Sequence, residues 1–318
     1  MELFNKFTDT VFLKESSNLE KQIEDLKIER NKNPYYKDKI DYDIRMLEIG
    51  LQGEKEIAYE LKNANIGMYV LHDITIEYED LKAQFDYIII TKGFIYLVEC
   101  KNLIGNISVD DNGQFIRKYE YNGKKYTEAI YSPYTQIIKN LNILKKKWIN
   151  ANSKLRVAIQ GKYFDKLWYK PIVVLANSKS ILNTKYAPKE VRSSTIRVDK
   201  LVEYIENDIR NYDRTLYNGK AYMEELANSF IEDNTDNFNN IADKYKEKVD
   251  IKLLEHKLRT FRSSRSKKLN IPAYYVFTDE EMKKLISDRP KDLNKLKDIL
   301  SEIKIKCHGK QIIKVLNE

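Results

Sequence analysis

The 318-residue sequence predicts an α/β domain followed by a small all-α domain, and three observations carry this. Two β-branched and aromatic runs, Phe85 to Thr91 and Phe94 to Lys101, flank Lys92 and Gly93 and read as a β-hairpin with glycine supplying positive φ in a two-residue turn. Apolar residues recur at helical spacing on both sides of it, at Ile57, Ala58 and Leu61 before and at Ile137, Leu141, Leu144 and Trp148 after. From Ile251 onward the spacing at Leu253, Leu254 and Leu258 is helical, interrupted by Ile271 to Phe277.

Along the chain, Ser17 with Glu20 forms a capping box ahead of Leu19, Ile23 and Leu26, which predicts a first helix. After a break at Asn33 and Pro34, Ile40, Ile44, Leu47 and Leu51 predict a second, packed on the first. Glu54 to Asn63 reads as a further helix and Met68 to Tyr78 as a strand leading into the hairpin. Short strands follow near Ile107, over Gln114 to Tyr121 and over Lys124 to Thr127, with Asn122-Gly123 as a turn. Ser132 and Pro133 start a helix, proline taking the first helical position. Pro171 to Ala176 is a buried strand, so the order is helix, three strands, helix, strand. The polar stretch Glu232 to Asn240 reads as a linker. These boundaries give an N-terminal helical region (1–48), an α/β domain (49–211), a helical and polar linker (212–248) and a helical domain (249–318).

Charge is unevenly spread. Residues 251–318 hold 17 Lys and Arg against 9 Asp and Glu, so the C-terminal domain alone carries the whole chain's net +8. That excess predicts a polyanionic partner, nucleic acid rather than a membrane surface, because no amphipathic anchor accompanies it. No apolar run approaches a membrane span, the N-terminus lacks the apolar core of a signal peptide, and Cys100 and Cys307 form no disulfide framework or zinc spacing. The expectation is a soluble cytoplasmic protein.

The hairpin register carries the chemistry. With Thr91 opposite Phe94 and Ile89 opposite Tyr96, Asp86 falls opposite Glu99, and period two puts Lys101 on the face of Glu99. Like charges so placed destabilise a ladder. A divalent cation with a neighbouring lysine offsets that cost. Carboxylates holding one or two Mg²⁺ ions, with a lysine to orient water or balance charge on phosphorus, are what phosphodiester hydrolysis requires. Glu54 heads the Ile57-Ala58-Leu61 stripe and is aimed inward. A first-turn Glu at a helix N-terminus is its structural alternative. His72, His256 and His308 lack metal-ligand spacing and read as structural or surface residues.

These residues resemble the PD-(D/E)XK nuclease superfamily. The longer text resembles its nuclease-related branch, NERD, through Gly50-Leu51-Gln52-Gly53-Glu54, Ala83-Gln84-Phe85-Asp86-Tyr87, Val98-Glu99-Cys100-Lys101-Asn102, Gly105-Asn106-Ile107 and Tyr131 to Gln136. The resemblance implies a restriction-endonuclease-like α-β-β-β-α-β core with a site of Glu54, Asp86, Glu99, Lys101 and Gln136. It implies metal at Asp86, Glu99 and Glu54, with Mg²⁺ as cofactor and Mn²⁺ as a substitute. Phe85 stands where the family usually has Ile, and Cys100 faces away from its neighbours as an inert thiol. Asn102 reads equally as a phosphate contact or a turn residue.

The C-terminal segment resembles the HRDC domain of RecQ-type helicases and RNase D-like exonucleases through Leu258 to Arg262, Ile271 to Asp279, Arg289-Pro290 and Ile303 to Gly309. It lacks the Gly-Val turn often found before the last helix. The resemblance implies weak DNA binding or protein contacts. Arg259, Arg262, Arg265, Lys267 and Lys268 form one basic cluster and Lys304, Lys306 and Lys310 a second, suited to phosphates. Tyr275 is the expected exposed aromatic for base stacking, with Tyr274 and Phe277 in the core. The reading is a Mg²⁺-dependent deoxyribonuclease. Its alternatives are a nuclease-fold module that binds nucleic acid without cutting, and a scaffold that binds a protein through the N-terminal or HRDC-like helices; homo-oligomerisation is left open.

Overall fold

The structure is a computed structural model and describes residues 7–32, 36–164, 168–212, 217–235 and 239–317. The Asn33-Pro34 break and residues 236–238 of the expected linker lie outside them. The chain divides into two compact units, Met1–Glu24 with Asp41–Asn239, and Asp25–Ile40 with Asn240–Glu318.

In chain order the elements are β1 (Thr10–Lys14), α1 (Asn18–Lys32), α2 (Lys37–Lys62), β2 (Met68–Tyr78), β3 (Leu81–Thr91), β4 (Ile95–Lys101), β5 (Asn106–Val109), β6 (Phe115–Tyr121), β7 (Lys124–Ile130), α3 (Pro133–Ala151), α4 (Lys154–Tyr163), β8 (Tyr169–Leu175), β9 (Ile181–Asn183), α5 (Lys189–Ser194), β10 (Thr195–Arg197), α6 (Leu201–Asn211), α7 (Lys220–Glu232), α8 (Asp243–Leu269), α9 (Asp279–Asp288) and α10 (Glu302–Asn317). The expected α-β-β-β-α-β order is α2, β2, β3, β4, α3 and β8.

A six-stranded sheet has the order β1-β2-β3-β4-β8-β10, antiparallel from β2 to β4 and parallel elsewhere. One face packs Leu71, Ile88 and Leu97 on Ile137 and Leu141 of α3 and on Met223 and Phe230 of α7. The other packs Val70, Ile89 and Val98 on Ile57 and Leu61 of α2 and on Leu201 and Ile205 of α6. Burial on both faces explains the near-continuous apolar text of β2 to β4. Strands β7-β6-β5-β9 form a second, smaller sheet.

Several local expectations give way to tertiary constraints. The second and third expected helices are one helix, α2, passing through Gly50 and Gly53 without a break. A Cβ at Gly53 would lie 2.7 Å from Asn102 Cβ and 3.2 Å from Cys100 Sγ, so this glycine permits helix and sheet to approach closely rather than ending the helix. Ser17 Oγ accepts from Leu19 N–H and caps the helix, while the Glu20 side chain pairs with Lys55. The hairpin turn does not use positive φ at Gly93. Thr91 Oγ1 accepts from the N–H groups of Gly93 and Phe94 and closes the turn instead. The stretch expected as linker contains α7, whose Met223, Ala227 and Phe230 join the main core. Helix α3 starts as expected, with Ser132 capping Thr135 N–H and Pro133 at the first position.

The second unit is built around α8, α9 and α10, whose core includes Leu254, Leu258, Phe277, Met282, Leu285 and Ile312. Leu253, expected in that stripe, is exposed. Ala273–Tyr275 is a single 3-10 turn: Val276 and Phe277 are buried together, and Tyr274, expected in the core, is 56% exposed like Tyr275. No helix among the described residues is long and apolar enough to cross a membrane.

Candidate active site

The β3–β4 ladder has the expected register, with Ile89 opposite Tyr96 and Tyr87 opposite Val98. One step further that register sets Asp86 against Glu99. Hydrogen-bonded pairs alternate from Thr91–Phe94, so the Cys100 N–H would next meet the Phe85 carbonyl. It donates instead to Asp86 Oδ2 at 2.6 Å. The carboxylate thus replaces a backbone acceptor where the ladder ends.

The cause lies one strand away. In β2, Leu71 and Ile74 face the same core, and opposite them in β3 so do Ile88 and Phe85; each pair is three residues apart, so period two shifts by one in both strands at Asp73 and Asp86. Asp73 has φ of 53°, a conformation that costs a non-glycine residue about 1–3 kcal/mol unless its surroundings impose it. They do: Asp73 Oδ2 accepts from Asn18 N–H at 2.6 Å, Oδ1 from Gln84 at 2.9 Å, and its carbonyl from Lys14 Nζ at 2.7 Å.

Glu99 is 2% exposed, and Lys101 Nζ donates to its Oε1. Glu54 enters from α2, also buried, and its Oε2 lies 2.7 Å from His72 Nε2. The other imidazole nitrogen, Nδ1, lies 2.8 Å from the Glu15 carbonyl, and the ring stacks on Tyr87 at 4.5 Å. Tyr87 hydroxyl donates to the Glu54 carbonyl at 2.9 Å. His72 and Tyr87 were missed as site residues. The readable signal for His72 was a lone imidazole in an apolar strand.

Burial pushes the Asp86 carboxyl well above the usual range, and the charges of Glu99 and Glu54 push it further, against the opposing pull of Lys101 and the Cys100 N–H. Burial also raises Glu99, with Lys101 opposing. For Lys101 burial alone would lower the ammonium, but Glu99 and Asp86 outweigh it and hold it above its ordinary value. The Cys100 thiol is raised well above its usual range, first by burial and then by Asp86, which keeps it inert.

The carboxylate oxygens of Asp86, Glu99 and Glu54 are hard donors and fit a divalent cation by their chemistry. Among the described residues no group of three or more His, Cys, Asp or Glu side chains is placed to hold a metal ion together. An ion such as Mg²⁺, which keeps waters and borrows phosphate oxygens, needs only one or two protein carboxylates. Gln136 is half-buried on α3, one turn before Asn140, whose amide donates to the Gln84 carbonyl, and it makes no side-chain hydrogen bond to the carboxylates. Asn102 is not free for phosphate: it donates to the Ile49 carbonyl and accepts from Asn177.

The basic residues of the second unit divide into two groups. Arg262 donates to Asp279 and the Phe277 carbonyl, Arg259 pairs with Glu255, Arg265 reaches His308 and the Cys307 carbonyl, and Lys304 binds Glu281. Lys267, Lys268, Lys306 and Lys310 are exposed and make no ion pair among the described residues, and Tyr275 is exposed beside Tyr274 at 4.7 Å.

Residues 49–176 match NERD, the nuclease-related domain, and residues 252–316 match the HRDC domain. Both resemblances read from the sequence are borne out. The first match contains Glu54, Asp86, Glu99, Lys101 and Gln136, and the second all the basic residues singled out above. No curated protein matches the chain, and no solved structure matches it.

Proposed function

We propose that this chain, which carries a nuclease-related domain followed by an HRDC domain, is a divalent-cation-dependent nuclease that hydrolyses DNA phosphodiester bonds. The observation that carries the reading is the gathering of Asp86, Glu99 and Glu54 at the end of one ladder with Lys101 beside them, with burial raising the carboxyls of Asp86 and Glu99. Such an arrangement is unfavourable for folding alone and useful beside a phosphate.

Bound Mg²⁺, or Mn²⁺ in its place, would supply Lewis acidity toward a phosphate oxygen and relieve the repulsion among these groups. Asp86 and Glu99 would hold it, with Glu54 as third donor. Lys101, retained as an ammonium by Glu99, orients the attacking water and balances negative charge developing on phosphorus. His72 fixes the Glu54 carboxylate, and Tyr87 fixes its backbone. Gln136 would contact the strand from α3. The HRDC domain would add nucleic-acid affinity through Lys267, Lys268, Lys306 and Lys310. The unpaired Cys100 and Cys307 suit a reducing cytoplasm, where we place the protein.

The test is incubation of wild type, Asp86→Ala and Lys101→Ala with labelled single- and double-stranded DNA and RNA, with Mg²⁺, Mn²⁺ or chelator. Cation-dependent cleavage of DNA lost in both variants supports the reading; unchanged cleavage in either one removes these residues from the chemistry. A second reading, binding without cutting, is favoured because among the described residues no three His, Cys, Asp or Glu side chains are placed to hold a metal ion together. It predicts DNA retention with no cleavage under any cation.

A further inference from the structure

Strands β6 and β7 form a ribbon that the carboxylate site does not use. On one of its faces the register sets Phe115 opposite Ile130, Arg117 opposite Glu128, Tyr119 opposite Tyr126, and Tyr121 opposite Lys124. Phe115 and Ile130 belong to the small core of the second sheet. The remaining pairs run outward from it, and Tyr121 at the end is 64% exposed.

This outer face is built rather than loose. Arg117 Nε donates to the Ile104 carbonyl at 2.8 Å, its Nη1 pairs with Glu128 at 3.0 Å, and its guanidinium lies 4.2 Å from the Tyr119 ring centre. Tyr119 in turn stacks on Tyr126 with centroids 5.3 Å apart and planes 18° from parallel. The result is a guanidinium over one ring and a second ring stacked on the first; Tyr126 is 40% exposed. A cation and two rings so aligned give a π surface already ordered for another flat group.

Charge identifies the occupant. Lys124 shares the tyrosine face and Lys118 and Lys125 lie on the reverse; none of the three makes an ion pair among the described residues. The outer pairs bring no aliphatic side chain to the tyrosine face. Stacking rings bordered by free ammonium groups suit successive bases and their phosphates, whereas an apolar protein partner would want an aliphatic patch. The ribbon is also continuous with the catalytic strand. Ile104, which anchors Arg117, is three residues after Lys101, at most roughly 11 Å of extended chain. At Gly105 (φ 116°) a Cβ would lie 2.5 Å from the Lys118 carbonyl oxygen and 2.9 Å from Tyr119 Cβ, so the ribbon is held close against the segment leaving β4.

We propose that the Arg117-Tyr119-Tyr126-Tyr121 face is a stacking platform for a single strand of DNA leading to the carboxylate site. The direction of that strand rests on the nuclease reading; binding to the platform does not.

The test uses the full chain bearing Asp86→Ala, so that DNA survives, and a single-stranded oligonucleotide carrying 5-bromodeoxyuridine. Ultraviolet crosslinking with peptide identification is expected to place adducts within residues 115–131. Fluorescence anisotropy at fixed salt is expected to show at least tenfold weaker single-strand binding for Tyr121→Ala with Tyr126→Ala, recovery in the corresponding Phe pair, and unchanged binding of blunt duplex. Lys124→Glu with Lys125→Glu, which leaves every ring in place, is expected to weaken the same binding and to steepen no melting transition. Crosslinks confined to other segments, or unaltered single-strand affinity in both double variants, overturn the proposal; tighter binding of RNA than DNA overturns its choice of strand. If the wild type cuts nothing with any cation but the crosslinks remain, the nuclease reading fails and the platform stands.

Discussion

His72 bridges the Glu54 carboxylate and the Glu15 carbonyl. The Glu15 carbonyl can only accept, so Nδ1 of His72 carries hydrogen, and the 2.7 Å contact between Nε2 and Glu54 Oε2 requires a second hydrogen on one partner or the other. The imidazole thus ties the carboxylate to the Glu15 backbone and holds it in one orientation.

Removing the imidazole should release that carboxylate. His72→Ala is expected to weaken divalent-cation binding by about 10–100-fold, the usual cost of deleting a group that orients a metal ligand, as read by titration calorimetry of the DNA-free protein. His72→Gln, which keeps an amide facing Glu54, should recover part of the affinity.

Lys101 has two jobs that substitutions separate. Lys101→Met leaves Glu99 buried without its cation, so both cleavage and stability should fall. Lys101→Arg keeps the charge, so its melting temperature should stay near wild type while cleavage falls by about 10²-fold or more, because the planar guanidinium cannot occupy the ammonium's position.

Asp86 predicts a pH dependence of the cation-free protein. Its carboxyl is held above the ordinary 3.8, so the folded state binds more protons than the unfolded chain over that interval. Stability from this group is therefore present below the unfolded value and is lost as pH rises toward the folded one. Asp86→Asn, whose side-chain carbonyl still accepts from the Cys100 N–H, should flatten the decline and raise the neutral-pH melting temperature by about 2 °C or more. Saturating Mg²⁺ should raise the wild type but not this variant.

Gly53→Ala sets propensity against packing. Alanine favours a helix interior by about 0.5–1 kcal/mol over glycine. Here its methyl would meet Asn102 Cβ at 2.7 Å and Ala176 Cβ at 3.2 Å, neither the end of a flexible side chain. Overpacking costs about 1–3 kcal/mol, so the net effect is destabilising and thermal melting should show a lower transition.

In the HRDC domain the lysines should separate by partner. Lys304 binds Glu281, the residue that completes the Thr278 capping box of α9, so Lys304→Ala should lower stability. Lys306→Ala and Lys310→Ala should leave melting unchanged, weaken DNA binding and each reduce its salt slope by about one.

Local pattern was enough for the hairpin because its register follows from two apolar runs and a short turn, and Ile89–Tyr96 pairing carries Asp86 to Glu99 whatever closes the turn. It also read α3 from Ser132-Pro133. It failed where a residue's partner lies far along the chain. Gly53 in α2 looked like a break because its use is to admit Asn102 and Ala176, about 50 and 120 residues away. Arg262 and Lys304 looked like phosphate contacts because their acidic partners, Asp279 and Glu281, become neighbours only when α8, α9 and α10 pack.

By itself, then, the sequence determined which strands pair, in what register, and that Asp86, Glu99 and Lys101 meet there, since these follow from backbone periodicity over some twenty residues. Only the tertiary structure decided how the ladder ends. The positive φ at Asp73 is held by Asn18, Gln84 and Lys14, and it coincides with a shift of both strands by one residue that leaves Asp86, rather than Phe85, to take the Cys100 N–H. A buried polar group must find a partner, and which one it finds depends on contacts that no local spacing encodes.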